Sequence, residues 1–334
     1  MSVIVSLAAI LTVVSVPSAA AATSDTFTPQ TILAPRVPMP DEGTKPEQNV
    51  VPVGVVSLDM SSTQTAYIVS VMRFNSATGR ALADNEVVCT WPGGSKNMVI
   101  GQNVLTRNTG HADLEDIQLT TRYLVHPGVD ATVTCTAQVR STSLGYNDEY
   151  YNLVSGSIRF ADQSVANDTT GQPIQASVAR TTNFDLPDNP TLRIPATDMF
   201  DVAPGFTGLS VFGDSNYVVN KPCETCTTGA STATFTLYVN QWKGDGQLCH
   251  TERTEPLTKT MLYSTHHVYV PLNKLFEIRT DAGCIPRFNA YVRVDYVSQY
   301  SGGTHGTAVG LTDSRGSASK HNSDMSHLYA VPYE

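Results

Sequence analysis

The chain is poor in charge. Only 15% of its residues are Asp, Glu, Lys or Arg, against roughly a quarter in an ordinary soluble domain. Its surface must therefore be built largely from Ser, Thr, Asn, Gln and Gly. Basic residues are outnumbered, 21 Lys+Arg to 30 Asp+Glu for a net charge of −9, and nowhere do they cluster. Nucleic acid and anionic membranes both require a basic patch, so neither is expected as a partner. No stretch repeats its apolar residues at the three- and four-residue steps of a long amphipathic helix. A Gly-rich phosphate loop, an H-E-x-x-H pair and an EF-hand loop are all missing, and neither cofactor nor resident metal is expected.

The N-terminal residues bear on the compartment. Val3 to Val16 is apolar apart from small hydroxyl residues, and Ser18-Ala19-Ala20-Ala21-Ala22 follows it. The run falls short of the ~20 residues that cross a bilayer and has the form of a secretory leader, with cleavage after Ala20 or Ala22, although no Lys or Arg precedes it. The mature chain is expected to be secreted and extracellular, without a membrane span. With no LPxTG-like signal, C-terminal apolar segment or lipid-attachment Cys, a released protein is expected.

Strict alternation dominates the remainder. In Arg287–Val297, Phe288, Ala290, Val292 and Val294 fall on one side, and Arg287, Asn289, Arg293 and Asp295 on the other. In Ala131–Thr142, Val133, Cys135, Ala137 and Val139 oppose Thr134, Thr136, Gln138 and Arg140. A period of two with one apolar side is a half-buried strand. Short strands separated by Gly/Pro turns such as Pro92-Gly93-Gly94 and Pro127-Gly128 predict an all-β fold of antiparallel sandwiches. The expected organisation is a leader over 1–22, a Pro-rich disordered spacer over 23–49, and a first sandwich over 50–163. A linker over 164–190 and a second sandwich over 191–334, ending in a polar tail, complete it. The two sandwiches read as weak internal repeats. The linker carries Asn167-Asp168-Thr169, a glycosylation sequon if the producer glycosylates.

Six cysteines in an exported chain are expected to be bridged. The repeat pattern pairs Cys89 with Cys135 and Cys249 with Cys284, leaving Cys223 with Cys226. A Thr/Gly/Ser loop follows that last pair where a redox C-x-x-C needs a helix N-terminus. A zinc site from Cys223, Cys226, Cys249 and His250 is the competing reading, and an oxidising compartment counts against it. The run Asp130-Ala131-Thr132-Val133-Thr134-Cys135 resembles the approach to the second Cys of immunoglobulin domains, which implies immunoglobulin-like sandwiches. Val133 stands where those domains carry a corner Tyr, and Trp91 follows Cys89 too closely to be their core Trp.

Three short blocks resemble the GDSL, or SGNH, esterases: Phe212-Gly213-Asp214-Ser215, Gly145-Tyr146-Asn147-Asp148 and Asp324-Met325-Ser326-His327. The resemblance implies Ser215, His327 and Asp324 as a triad, a hydroxyl activated by an imidazole that a carboxylate orients. The blocks stand in the wrong chain order, and Asn216–Pro222 after Ser215 cannot open a helix. His305, His321 and Asp313, with Asp324 and His327, lie in a Ser/Gly/Asn-rich tail and read as solvated rather than metal-bound.

A binding role is the remaining reading. Tyr146, Tyr150 and Tyr151 fall within one polar loop, and Tyr300 lies in the matching loop of the second sandwich. Tyr with Ser, Gly and Asn supplies rigid contact area and adaptable hydrogen bonds. The expectation is a secreted, non-catalytic binding or surface-associated protein whose partner is a protein or a carbohydrate, touched first at the Tyr146–Tyr151 loop. A secreted esterase is the alternative.

Overall fold

The computed structural model describes residues 23–36, 49–106, 115–143, 147–165, 174–177, 184–185, 191–219, 230–262, 267–281, 283–299, 307–309 and 326–334. Everything regular in them is strand. In chain order the strands are β1 (Ser24–Thr26), β2 (Gln30–Ala34), β3 (Asn49–Met60), β4 (Thr65–Asn75), β5 (Ala81–Trp91), β6 (Gly94–Val104), β7 (Asp116–Val125), β8 (Ala131–Ser143) and β9 (Glu149–Val165). They continue as β10 (Gln175–Ser177), β11 (Phe184–Asp185), β12 (Thr191–Ala196), β13 (Phe200–Asp201), β14 (Gly208–Val219), β15 (Ala230–Lys243) and β16 (Leu248–Arg253). The last are β17 (Leu257–Leu262), β18 (His267–Glu277), β19 (Cys284–Gln299), β20 (Thr307–Val309) and β21 (His327–Tyr333).

These strands form four antiparallel sheets. Sheet I runs β3-β8-β5-β6, and sheet II runs β9-β4-β7 with β1 and β2 along the outside of β9. Sheet III centres on β14, with β18 on one side and β21 then β20 on the other, followed by β10 and β11. Sheet IV runs β12-β19-β15-β16, with β13 beside β19 and β17 beside β15. Sheets I and II enclose one core, holding Ile68, Met72, Phe74, Val87, Leu119, Val139 and Ile158. Sheets III and IV enclose another, holding Val211, Phe235, Leu237, Val270, Phe288 and Val292.

Both sandwiches follow one plan. Counting β3 to β9 in the first and β12, β14, β15, β16, β18, β19 and β21 in the second, the first strand pairs with the sixth, the sixth with the third, and the third with the fourth. The second strand lies in the opposing sheet between the fifth and the last. The second-with-fifth and third-with-sixth pairings are those of an immunoglobulin sandwich, in which strand B lies beside E and C beside F. The bridge differs. Cys89 and Cys135 face each other directly on neighbouring strands β5 and β8, with Cα atoms 3.9 Å apart. They therefore join two strands of one sheet rather than two sheets. Cys249–Cys284 likewise ties β16 to β19 within sheet IV. Cys223 and Cys226 lie outside the described residues.

Two stretches expected to be unstructured contribute strands. Within 23–49, β1 and β2 pair along β9, and Phe27 between them is buried. The Phe27 ring lies against Gly54 and Gly156, where an added Cβ would come within 2.4 Å and 2.3 Å of ring carbons. A larger residue at either position would displace the ring. The proline-rich composition hid one buried Phe and a row of backbone hydrogen bonds. Within 164–190, β10 and β11 pair with β21 and β20, and Ile174 enters the second core. Residues 117–125 all belong to one strand, β7.

The two sandwiches meet on a polar contact set among apolar ones, since Tyr269, Tyr329, Val331 and Phe212 of the second join the cluster of the first core. On β7, Ile117, Leu119, Thr121, Tyr123 and Val125 face the first core, so Arg122 points out of it. It is nevertheless only 6% exposed, because sheet III covers it. Its guanidinium forks onto Asp214 of β14, Nε to Oδ2 at 2.9 Å and Nη2 to Oδ1 at 2.6 Å, while Nη1 donates to Asn273 at 2.6 Å. The Phe212 ring lies 4.5 Å from the guanidinium carbon and stacks on Tyr67 at 5.3 Å. Tyr269 donates its hydroxyl within reach of both Asp214 (2.9 Å) and the Thr120 carbonyl (3.0 Å). Burial opposes the Arg122 charge, but the Asp214 carboxylate outweighs it and the net shift of its pKa is upward.

Breaking a buried, hydrogen-bonded ion pair leaves an uncompensated charge and costs about 3–5 kcal/mol. Arg122→Ala and Asp214→Ala are each expected to lose that much in urea unfolding. The double variant is expected to lose no more than the worse single one, since neither charge is then stranded. Additive losses would show that the pair does not act as a unit.

Candidate functional site

The esterase constellation does not assemble. Ser215 sits in the middle of β14, 1% exposed, and its hydroxyl has no hydrogen-bond partner. Asp214 is the residue paired with His327 on β21. Paired residues share a face of a sheet and neighbours alternate, so Ser215 and His327 point to opposite sides of sheet III. Asp214, the acid of the Gly-Asp-Ser block, is committed to Arg122. Asp324, His305, Asp313 and His321 lie outside the described residues. His327 is 1% exposed, stacks against Tyr329 at 6.3 Å, and neither ring nitrogen has a partner. Burial, and secondarily Lys96, hold its pKa down to about 3.

The tyrosine loop divides. Tyr146 and Tyr300 lie outside the described residues. Tyr150 is 44% exposed, whereas Tyr151 is 1% exposed and meets Phe74 edge-on at 5.5 Å in the first core. Tyr151 is therefore a core residue, not a contact residue, because adjacent positions of β9 alternate in facing. The acidic residues beside them are engaged within the molecule. Asp148 accepts from the Arg36 backbone N–H at 2.8 Å, and Glu149 accepts from the Thr78 hydroxyl at 2.6 Å.

An ordered polar surface lies elsewhere, on the outward side of sheet IV. Ala233, Phe235, Leu237 and Val239 of β15 fill the core, which turns Thr234, Thr236, Tyr238 and Asn240 outward. The register across the sheet arranges these in rows. Thr234 stands between Asp295 and Thr258, Tyr238 between Tyr291 and Arg253, and Asn240 between Asn289 and Thr251. Thr236 faces Arg293, and Arg293 faces Arg193 of β12. The Tyr238 and Tyr291 rings stack at 5.1 Å with planes 11° apart. The Arg193 guanidinium lies 4.7 Å from the Tyr291 ring centre, and Arg253 Nη1 donates to the Tyr238 hydroxyl at 3.3 Å. Arg193, Tyr291, Tyr238 and Arg253 thus make a ladder of flat groups across four strands.

Hydrogen bonds hold the neighbouring rows. Asn240 and the Trp242 indole both donate to Asn289 Oδ1, at 3.2 and 2.9 Å, and Thr251 donates to Asn240 at 2.8 Å. Thr191 donates to Asp295 at 2.9 Å, and Arg293 pairs with the same carboxylate at 2.9 Å. The ladder covers its own ring faces, so Tyr291, Thr236 and Asn240 are buried within it. The groups that reach solvent are Thr191, Arg193, Thr251, Arg253 and Thr258, with Tyr238 and Asn289 half-buried between them. Three strand gaps of about 4.8 Å make it roughly 14 Å wide. Such a surface can hydrogen-bond a long polar ligand but cannot stack on a flat one. The alternation of β19 showed in the sequence. The register that puts Tyr238 beside Tyr291 did not, and Arg193 sits in a six-residue strand with no periodicity to mark it.

Among the described residues no group of three or more His, Cys, Asp or Glu could hold a metal ion, and no helix is long and apolar enough to cross a membrane. No family model and no curated protein matches the chain. Among solved structures, it is similar to the N-terminal CBM22-1–CBM22-2 tandem domain of Paenibacillus barcinonensis Xyn10C. That match has 9% identity and a TM-score of 0.22, over 92% of each chain. It is also similar to PNGF-II, with 8% identity and a TM-score of 0.33 over 93% of this chain and 66% of that one. A third likeness is to the T13 viral particle of IBDV, with 12% identity and a TM-score of 0.31 over 93% and 71%. At these scores the likenesses carry no functional argument.

Two predictions follow from the residues that proved structural. Tyr151→Ala is expected to destabilise the protein by about 3–5 kcal/mol, as for other buried aromatics. Tyr150→Ala is expected to stay within about 0.5 kcal/mol, as for exposed positions. Chemical denaturation reads both, and equal losses would contradict the alternate facing. The second concerns His327. The unfolded chain takes up its proton near the ordinary value of 6.5, but the folded chain refuses it until about 3. The contribution of His327 is fully present above pH 6.5 and falls as pH drops through that window, by up to about 1.4 kcal/mol per pH unit. His327→Leu is expected to flatten that part of the stability–pH curve relative to wild type.

Proposed function

We propose that this protein is an exported, non-catalytic binding module whose ligand face is the outward side of sheet IV, and that it takes a hydroxyl-rich polymer, a polysaccharide. The reading rests on the ladder Arg193–Tyr291–Tyr238–Arg253 with the hydrogen-bonded rows beside it. Protein-binding surfaces carry an apolar centre inside a polar rim. Here the centre is polar, and the exposed aliphatic residues Leu248 and Val297 stand at the two ends. Side chains fixed by their neighbours lose little freedom on binding, which suits a ligand that offers many weak hydrogen bonds. Export accords with two disulfides in the fold, since such bridges persist in oxidising compartments.

Electrophoresis in native gels containing soluble polysaccharides tests this. Wild-type protein is expected to be retarded by at least one polymer of a panel of xylan, hydroxyethylcellulose and polygalacturonate. Thr251→Trp, which places a bulky group on the exposed face, is expected to weaken the retardation at least about tenfold, while Tyr150→Ala leaves it unchanged. Tenfold corresponds to about 1.4 kcal/mol, an ordinary loss at a contact position. No retardation by any polymer, or equal retardation of Thr251→Trp, would refute the proposal.

A further inference from the structure

Resting on that reading of sheet IV, we infer that the ligand is a polysaccharide bearing carboxylates, and that Arg193 and Arg253 are the residues that recognise them.

The inference starts from how the arginines are held. Arg73, Arg122, Arg140, Arg287 and Arg293 each engage a carboxylate of the chain itself: Asp116, Asp214, Glu86, Asp201 and Asp295. Arg193 and Arg253 have no carboxylate within ion-pair reach among the described residues. Their contacts are a ring face and a phenol oxygen. Exposed Arg159 and Arg279 also lack an ion pair among the described residues, so what sets Arg193 and Arg253 apart is that aromatic groups orient them. Both are exposed, and both are held in place by the tyrosine ladder. A guanidinium oriented by a ring or a hydroxyl keeps most of its N–H fork for a ligand, and that fork matches a planar carboxylate in two parallel hydrogen bonds.

Spacing and surrounding charge narrow the ligand further. The two arginines stand on β12 and β16, the outer strands of a four-strand row, so about 14 Å separates their strands. One small dicarboxylate does not bridge that span, whereas charges recurring along an extended polymer do. Between and beside them lie acids: Asp295, already shared by Arg293 and Thr191, and Glu255, which acts on Arg253 through space but lies outside ion-pair distance. Interleaved acids disfavour a densely charged sulfated or phosphorylated chain and tolerate one with a single carboxylate per unit. The net charge of −9 likewise makes indiscriminate capture of polyanions unfavourable. Recognition of an acidic polymer has to be local, at these two forks.

The test compares polymers that differ only in charge: polygalacturonate and alginate, each against its methyl ester, with xylan as a neutral chain and dextran sulfate as a dense polyanion. The full chain is titrated with each by calorimetry. At least one of the two acids is expected to bind about tenfold or more tightly than its ester. Arg193→Gln and Arg253→Gln are each expected to lose about tenfold on the acid and little on the ester, with unchanged melting temperatures. Equal affinity for acid and ester, or binding of xylan alone, would overturn the carboxylate inference while leaving sheet IV as the ligand face. Dextran sulfate bound as tightly as either acid would also overturn it, as non-selective polyanion capture. Binding of none of these polymers would overturn the inference, and, if hydroxyethylcellulose is not bound either, the face as well.

Discussion

Arg122 and Asp214 hold the molecule together at its costliest point. Each charge has been removed from water, which costs several kcal/mol per ion before any contact is made. What offsets that is geometry: a two-pronged fork, a third bond to Asn273, a hydroxyl from Tyr269, and rings on the open sides. Tyr269 and Asp214 meet within the second sandwich, but the Arg122 guanidinium, carried by the first, finds its carboxylate and amide partners only there. β7 supplies the cation, β14 the anion, β18 the amide and the phenol, and β4 the outer ring. An apolar contact would tolerate sliding by a residue or rotation by some degrees, but this one does not. The pair therefore sets how sheet III sits against β4, β6 and β7. It also turns sheet IV, on the far side of the second core, away from the first sandwich.

The sequence showed the strands far better than their uses. Alternation in β8 and β19 marked both core faces correctly, because a strand half in water must sort its side chains by side. Arg122 gave no signal, since a lone arginine on the polar side of a strand reads as solvated until another sheet covers it. Gly213-Asp214-Ser215 gave a false signal for the same reason. The block suggested a nucleophile, whereas its aspartate is an internal counter-ion and its serine faces the other core. Tyr150 and Tyr151 show the limit at its smallest scale. Both looked like one exposed loop, and a strand beginning at Glu149 sends one outward and the other inward. Phe27 and Ile174 were masked by polar, proline-bearing surroundings, where a single buried side chain leaves no period to detect.

The cysteines were readable because covalent geometry is demanding. Only residues whose Cα atoms approach within about 7 Å can be bridged, and a shared position in two repeating patterns narrowed the choice. What pattern alone could not say was which layers the bridges join. Immunoglobulin sandwiches carry their bridge across the core. Here both described bridges lie within a sheet, one joining the neighbouring third and sixth strands and the other reaching from the fourth to the sixth, so neither ties the two layers of a core together.

Repetition of one plan in both sandwiches makes them a natural internal comparison. Sheet I and sheet IV occupy the same place in the plan, and both send polar side chains outward from their third and sixth strands. In sheet I those groups satisfy one another. Glu86, fully buried, accepts from Arg140, Gln138 and Asn97, so its charge has no capacity left for a ligand. In sheet IV β15 and β19 carry Tyr238 and Tyr291 along with Asp295, and the arginines at the row's two ends lean on a ring and a hydroxyl instead of carboxylates. The two faces share the order of their four main strands, and differ in whether the cations at the row's ends are neutralised from within. A closed network adds to the stability of its own sandwich. A row ending in two unneutralised forks contributes less to its own sheet and leaves those forks to an anion from outside. The strand order is common to both, and side-chain chemistry is where a plan used twice can keep one copy as a support and turn the other toward a ligand.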